Sequence, residues 1–494
     1  MDNQYAVLLK ELLQYTQIKY GDLAEALGYD ISYISKWVNG VRLPASKNID
    51  HINQDIAQYV TSKLVKGNRI EEFSDKFMCE SVYSEEDMQS EIYRLCMEAY
   101  HNTIRLTTEK KGNHEISQIT IGSIHYQRII KNTLKSIFEN AESNIKLCIT
   151  GDFCDLIKNG FWDFLSTIDL PTKPCRVMAT LNLEKIRRTN MVGALYHCLD
   201  ELYDWDISFY ERTGSAYDNM IIVENELAII YSLNEHGNID MCVSIKNELQ
   251  IDFLYHKCIN YLFNEKQLIV PKKTLGMEPF GFRDMFFTSV KYFYFLAHGF
   301  EFLIPDSVFQ SLIKNAKNGE YKPADENWVY RIQTIWKNLM DKAQLHFLVP
   351  SNSLIQYLET GYIHLNDFSY KLTLEERKQH LDQVLKSMKA NQKIVLGILL
   401  PMAGMYRNNN FVNLSFYSNY STAFFKKNIR QINGETAPIY VVNDIRLLSL
   451  FQNYFEEQMK SAAYHEYTYD QLSELYGRYK YLLDNLFAGR EDKT

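Results

Sequence analysis

Apolar positions in this chain recur with two different periods. Over the first 66 residues they fall three and four apart, the spacing that lines one side of an α-helix. Tyr5 to Tyr15 reads as a first helix, and Tyr20 to Leu27 as a second with Leu23, Ala24 and Leu27 inward. Gly28 follows, where a helix C-terminus favours a residue that accepts positive φ. Asp30 is an N-cap for a third helix, Ile31 to Asn39, in which Ile34 and Trp37 share a face. Gly40 and Pro44 close it. Asn48 to Val60 places Ile49, Ile52, Ile56 and Val60 on one side. Ser84 to Thr107 is helical again, and the polar stretch Thr107 to Ser117 reads as a linker.

From Gln118 short apolar runs alternate with helical stretches, the texture of a layered α/β body. Strands are expected at 144–150, 175–181, 206–210, 218–223, 228–232 and 241–245, and helices at 126–141, 153–166, 189–203 and 250–264. Pro271 to Gly276 reads as a boundary. Beyond it, strands are expected at 300–304, 344–349, 393–399, 413–417 and 439–443, and helices at 374–390, 447–459 and 467–487. Asn413 to Tyr417 (NLSFY) echoes Asp206 to Tyr210 (DISFY), and 439–443 with its helix echoes 243–247 with its own. The body therefore reads as two tandem related lobes. The expected domains are 1–66, a helical connector and linker at 67–117, a first lobe at 118–272 and a second at 273–494.

The segment Lys19 to Pro44 resembles the helix-turn-helix of the Cro/CI (XRE-like) family through Leu23-Ala24, Gly28, Ile34-Ser35, Trp37, Asn39-Gly40 and Leu43-Pro44. The resemblance implies an all-α, five-helix DNA-binding domain over residues 1 to about 60. It implies double-stranded DNA with an inverted-repeat operator as partner, read by a homodimer. On the second helix of the motif, Ile31, Ser32 and Lys36 are placed for base edges; Lys19, Tyr20, Tyr33, Arg42 and Lys47 are placed for phosphates. Two positions depart from the family: Tyr20, where Gln or Ser is frequent, and Val38, where Glu is frequent. Up to Lys66 seven basic residues face seven acidic ones, so one copy has little net attraction for phosphate.

The stretch 217–232, YDNMIIVENELAIIYS, resembles the active-site hairpin of the phospholipase D-like fold over a region of about 150 residues. That family carries HxKxxxxD; the corresponding positions here are Tyr217, Asn219 and Glu224. None supplies the nucleophilic imidazole or the phosphate-holding ammonium. A catalytically degenerate effector domain is therefore expected, not an enzyme, and no catalytic residues are assigned.

Composition narrows the classes further. The 494 residues are 46% hydrophobic and carry a formal charge of −8, enough chain for several domains. Eight cysteines form no CxxC pair and no zinc pattern, and the twelve histidines show no metal spacing. No metal or cofactor is expected. Nucleotide loops, Rossmann glycines, HExxH and GxSxG are absent. The longest apolar run, Ile394 to Met405, contains Pro401 and is too short for a bilayer. With the helical domain starting at the first residues, a cytoplasmic protein is expected, without a membrane partner. Asp152, Asp155 and Glu211 follow strands where an α/β site opens. A small-molecule or peptide effector is expected between the lobes, near Gly151-Asp152 and Glu211 on one side and residues 401–410 on the other. The expected function is a dimeric, effector-responsive transcription regulator. The alternatives are a phospholipase D-like phosphodiesterase and a self-repressing component of a defence system.

Overall fold

The computed structural model describes residues 3–45, 48–67, 73, 77, 84–109, 118–121, 123–141, 144–168, 175–213, 219–273, 286–298, 300–318, 326–365, 368–400, 412–428, 432 and 436–488. It divides into two compact units, 1–117 with 122–128, and 118–121 with 129–494. The first is helical and the second is a mixed α/β body.

Unit 1 contains α1 (Gln4–Thr16), α2 (Tyr20–Leu27), α3 (Ile31–Val38), α4 (Ile49–Lys66) and α5 (Glu85–Glu109). Up to Lys66 the described residues form four α-helices, where five are expected from the family resemblance. The stretch expected to be a connector is largely α5. Its Met88, Ile92, Leu95, Cys96, Ala99 and Tyr100 share one core with Leu9, Leu12, Ile34, Trp37, Ile56 and Val60. Tyr5 donates its hydroxyl to Asn53 at 2.7 Å, and its amide donates to the Thr103 hydroxyl at 3.0 Å, so polar groups of Tyr5, Asn53 and Thr103 tie α1 to α4 and α5.

Unit 2 opens with β1 (Gln118–Ile121), α6 (Ser123–Glu139, of which residues 123–128 belong to unit 1), β2 (Ile145–Asp152), α7 (Phe153–Lys158), α8 (Phe161–Leu165), β3 (Cys175–Leu181), α9 (Leu183–Thr189), α10 (Val192–Glu201), β4 (Asp206–Glu211), β5 (Asn219–Val223), β6 (Leu227–Leu233), β7 (Ile239–Ile245), α11 (Glu248–Asn264) and β8 (Gln267–Lys272). It continues with β9 (Lys291–Phe295), α12 (Asp306–Asn318), α13 (Glu326–Lys342), β10 (Gln344–Pro350), α14 (Ser351–Thr360), β11 (Tyr362–Leu365), β12 (Phe368–Lys371), α15 (Leu374–Ala390), β13 (Ile394–Leu399), β14 (Leu414–Ser418), β15 (Ala423–Lys427), β16 (Ile439–Val442), α16 (Ile445–Gln458), β17 (Tyr464–Tyr467) and α17 (Tyr469–Ala488).

Fifteen of these strands form one sheet, in the order β1-β7-β6-β5-β2-β3-β4-β8-β16-β15-β14-β9-β10-β13-β17. The stretch from β7 to β8 and the stretch from β16 to β17 have the same plan. In each, an antiparallel meander of three strands leads into three parallel strands, and one antiparallel strand closes the far side. The lobes are thus topological repeats, joined by antiparallel pairing of β8 with β16 from Lys272↔Ile439 to Ile269↔Val442. Following strand directions through that seam, β9, β10 and β13 run opposite to β2, β3 and β4. The second copy is therefore turned over, as by a two-fold screw along the sheet.

Several sequence expectations change. Residues 300–304 form no strand; the strand is β9, just before them. The expected helix 189–203 is the shorter α10, and an unexpected helix, α9, precedes it and ends at Asn190 with φ 53°. The echo of 206–210 in 413–417 misleads: β4 is a parallel strand, whereas β14 belongs to the meander and corresponds to β5. The echo of 243–247 in 439–443 holds, since β7 and β16 each end their meander and each lead through an N-cap to a helix.

The seam is pinned at both ends. At one, Lys427 of β15 is buried; its ammonium donates to the Trp205 carbonyl at 2.8 Å, lies 3.4 Å from Asp206 and sits 4.1 Å from the Tyr440 ring centroid. At the other, Arg446 joins Glu211 and Asp444, each at 2.7 Å, and Lys266 reaches Asp444 at 2.6 Å. Removing one member of a buried pair leaves the other charge uncompensated. Lys427→Met should therefore cost about 3–5 kcal/mol in urea unfolding. The double variant Lys427→Met/Asp206→Leu should recover part of that loss; no recovery would mean that the cost comes from packing and not from the stranded carboxylate.

Candidate nucleic-acid interface and candidate ligand pocket

In unit 1 the turn between α2 and α3 is built by local rules. Gly28 has φ 69°, and the Tyr29 amide closes α2 on the Ala24 carbonyl at 2.9 Å. Asp30 caps α3 by accepting from the Ser32 amide at 2.9 Å. Hydrogen bonds from Ser32 hold the Asp30 carboxyl below its usual range. Leu23, Ala24, Leu27, Ile34, Trp37 and Val38 are buried together, so α3 keeps one face in the core and the other in solvent. Tyr29 packs edge-on to Trp37 at 5.2 Å and fixes the angle of the turn.

The solvent face of α3 carries Ile31, Ser32, Tyr33 and Lys36. Ile31 is 52% exposed, unusual for isoleucine on a packed helix, and Tyr33 is 43% exposed with the Lys36 ammonium 5.8 Å from its ring centroid. Lys19 and Arg42 are exposed as well. Tyr20 is half-buried against the unit's core, so its ring has a packing role, and Lys47 lies outside the described residues. Two residues went unnoticed as candidates. Ser35 and Asn39 extend the Ile31 row at helical spacing and bond to each other at 3.2 Å. Val38, a departure from the family pattern, is a buried core residue.

In open α/β sheets, ligands bind beyond the carboxyl ends of strands at the point where strand order reverses. Unit 2 has two such points, between β2 and β5 and between β9 and β14. The first is filled. A Cβ on Gly151 would lie 1.6 Å from the Tyr231 hydroxyl, so that ring occupies the space where a ligand would approach the strand end. Asp152 caps α7 and accepts from the Asn182 amide at 3.0 Å; Asp152 and Asp155 both hold Lys185. Desolvation raises the Asp152 carboxyl despite Lys185. Glu211 is engaged at the seam with Arg446. The three carboxylates expected to face an effector are thus committed to internal partners.

The degenerate hairpin is equally explicit. Asn219 opens β5 and accepts from Arg212 at 3.1 Å, while Glu224 lies just beyond the other end of the strand and pairs with Lys146 at 2.8 Å. The two do not share a site, and Tyr217 lies outside the described residues.

The second switch point is open. A polar pocket of about 270 Å³ is lined by His298, Gln356, Tyr357, Thr360, Tyr362, His364 and Asn428. His298 follows β9, and Ser415 sits beside it on β14. Ala297 donates to the Ser415 hydroxyl at 2.9 Å, that hydroxyl lies 3.2 Å from His298 Nδ1, and His298 Nε2 bonds the Asn413 carbonyl. Beneath the floor, buried Lys426 donates to Glu301 at 2.5 Å and to the His364 carbonyl, and the Tyr417 hydroxyl donates to Glu301. The strand start is tied to the first lobe: Asp200 of α10 accepts from the Asn413 and Leu414 amides at 2.7 and 2.8 Å. On the other side of Tyr357 lies an apolar cavity of about 460 Å³ between α14, α15, β13 and α17.

None of His298, Glu301, His364, Tyr417 and Lys426 is a sequence candidate; they come from four separate segments with no shared motif. The first-lobe side of the expected effector site is packed by internal contacts. The two switch points lie at opposite ends of the strands and roughly 34 Å apart across the sheet, at about 4.8 Å per strand. Residues 401–410 lie outside the described residues. Among the described residues no group of three or more His, Cys, Asp or Glu is placed to hold a metal, and no helix is long and apolar enough to cross a membrane.

No protein-family description matches the chain, and no curated protein matches it. Solved structures with some likeness include TrmBL2, an archaeal chromatin protein with a described mode of DNA binding (12% identity, 53% of this chain and 98% of that one, TM-score 0.22). Another is Nuc, a phospholipase D family member from Salmonella typhimurium (15%, 31% and 98%, TM-score 0.21). A third is the polyphosphate kinase of Porphyromonas gingivalis (8%, 75% and 57%, TM-score 0.22). Likenesses of this degree settle neither fold nor function for this chain.

Burial makes the neutral form of two imidazoles the stable one. His380, bonded to the Tyr357 hydroxyl and the Phe302 carbonyl at 2.6 Å each, is lowered to about 4, and His298 is lowered well below the usual range. As pH falls below about 6.5 the unfolded chain takes up protons that these folded sites refuse, so stability drops towards pH 4. Asp200, raised to about 7 by burial, acts in the opposite direction, since the folded state protonates it first. The contribution of His380 is isolated by comparison. Between pH 7 and pH 5 the wild type should lose about 2 kcal/mol more than His380→Gln, measured by urea unfolding. Parallel pH profiles would show that the imidazole is not held neutral.

Proposed function

We propose that this protein is a sequence-specific, DNA-binding transcription regulator that works as a homodimer and whose α/β body senses a small polar molecule or peptide. The observation that carries the reading is the α3 face: Ile31, Ser32 and Lys36 project from a helix whose opposite side is locked into the core by Ile34 and Trp37. The order of helix, Gly28 turn, Asp30 cap and exposed second helix agrees with a Cro/CI-like reader. In that docking Ile31 meets a thymine methyl, Ser32 and Lys36 hydrogen-bond base edges, and Lys19, Tyr33 and Arg42 meet phosphates. The small basic footprint of one copy is the reason for two.

The body's sensing site in this reading is the His298–His364 pocket, the open one of its two switch points. An effector bound there shifts operator affinity only by its differential binding to two conformations, and operator DNA then shifts effector affinity by the same factor. Thermal-shift screening of metabolites and peptides, followed by calorimetry with and without operator, measures this. A molecule that stabilises the body and leaves operator affinity unchanged would reduce the body to scaffold.

Selection from random duplexes should recover an inverted-repeat motif. Ser32→Ala with Lys36→Ala should weaken specific binding by roughly 2–5 kcal/mol. Unchanged affinity would place the docking face elsewhere. The purified protein should not hydrolyse DNA, RNA or phospholipid, with or without divalent metal, because the hairpin offers Asn219 and Glu224 at opposite ends of a strand. Turnover abolished by a substitution in that hairpin would establish the phosphodiesterase reading instead.

A further inference from the structure

The two ends of the sheet are finished differently. At one end β17 presents exposed His465 and Glu466, the polar and charged side chains that keep an edge strand from pairing with a stranger. At the other end β1 is only four residues long, QITI, and its two isoleucines face solvent: Ile119 is 59% exposed and Ile121 is 73% exposed. Met241, opposite Ile121 on β7, adds a third exposed apolar side chain to the same row at 42%. One ladder of β1 is used by β7, and β1 ends the sheet. An uncharged edge with an apolar face is a template for another strand.

We propose that the partner on this edge is β1 of a second copy of the chain, paired antiparallel about a two-fold axis through Thr120. The register follows from the pleat. Directly opposed residues of antiparallel strands point to the same face, so a self-pairing strand must match residues of the same parity. With Thr120 opposite its own copy, Ile119 of one protomer lies opposite Ile121 of the other, twice. The four isoleucines then form one apolar block on the face that also carries Met241, and two threonines meet on the opposite face; both kinds of cross-strand pair are favourable. No other described edge of the sheet offers that self-match, because β17 centred on either of its two inner residues would set His465 or Glu466 against its own copy. The functional purpose of the dimer rests on the DNA-binding reading, but the dimer itself does not.

The test uses the full chain without DNA. Light scattering and sedimentation should give twice the 58.1 kDa chain mass. Ile119→Lys/Ile121→Lys should weaken self-association at least tenfold while circular dichroism stays unchanged. Register is read separately and needs no disruption of the edge. Single Ile119→Cys and Ile121→Cys proteins, mixed and mildly oxidised, should give a covalent heterodimer, and neither alone should cross-link efficiently. His465→Cys on β17 should give none. A monomeric wild type, a dimer indifferent to the lysine pair, or cross-linking of Ile119→Cys alone as strong as in the mixture would overturn the proposal. A dimer with the expected cross-links that selects no DNA motif would leave the proposal standing and remove the DNA-binding reading.

Discussion

Two consecutive ammonium groups in the middle of a large sheet can stay charged only if a partner meets each of them on its own side. Lys426 and Lys427 of β15 are both buried, and the pleat sends them to opposite faces. Lys426 finds Glu301 and the His364 carbonyl, so it organises the floor of the open pocket. Lys427 finds Asp206 and the Trp205 carbonyl, so it ties the second lobe to the first strand-end of the seam. Burial lowers the Lys427 ammonium to about 8, against the pull of Asp206. A single dipeptide thus couples the pocket to the joint between lobes. Neither could be rebuilt without the other, because each lysine's position is set by the same strand register.

The pair of helices α2 and α3 was legible because its geometry is local. A glycine at positive φ, an aspartate cap and five apolar residues at helical spacing fix two helices within twenty residues, whatever surrounds them. Strands β2 to β7 and the β7–β16 correspondence were legible for the same reason, as runs of apolar residues closed by turn or cap residues. What the chain hid was long-range. Lys426-Lys427 looks like a solvated charged turn until Glu301 and Asp206, each more than a hundred positions away, are brought to it. β8, QLIVPK, is short and contains a proline, yet it is the strand that fuses the lobes. The resemblance of DISFY to NLSFY was a coincidence of side-chain preference for half-buried strands and carried no topology.

The two lobes differ at the strand ends where open α/β sheets bind ligands. In the first, Tyr231 stands over Gly151, and Lys185 neutralises the two carboxylates, so the strand end has become packing. In the second, the equivalent end has kept space and is ringed by imidazole, amide and hydroxyl groups. Two topologically equivalent places thus differ, one packed and the other open. Asp200 joins them mechanically, since a helix of the filled lobe grips the first amides of the strand that borders the open one.

The screw relation between the lobes has one more consequence. A contact in which one end of a unit meets the other end of the next does not close on itself; repeated between molecules, it grows a filament. The seam between β8 and β16 is such a contact, and the free side of β17 is the equivalent of the side of β8 that makes it. The surface it would need on a neighbouring molecule is the outer side of β7, and that side is covered by β1, which has no counterpart in the second lobe. Four residues at the start of the body therefore act as a stopper, and a geometry suited to endless fibres is held to a chain of two links.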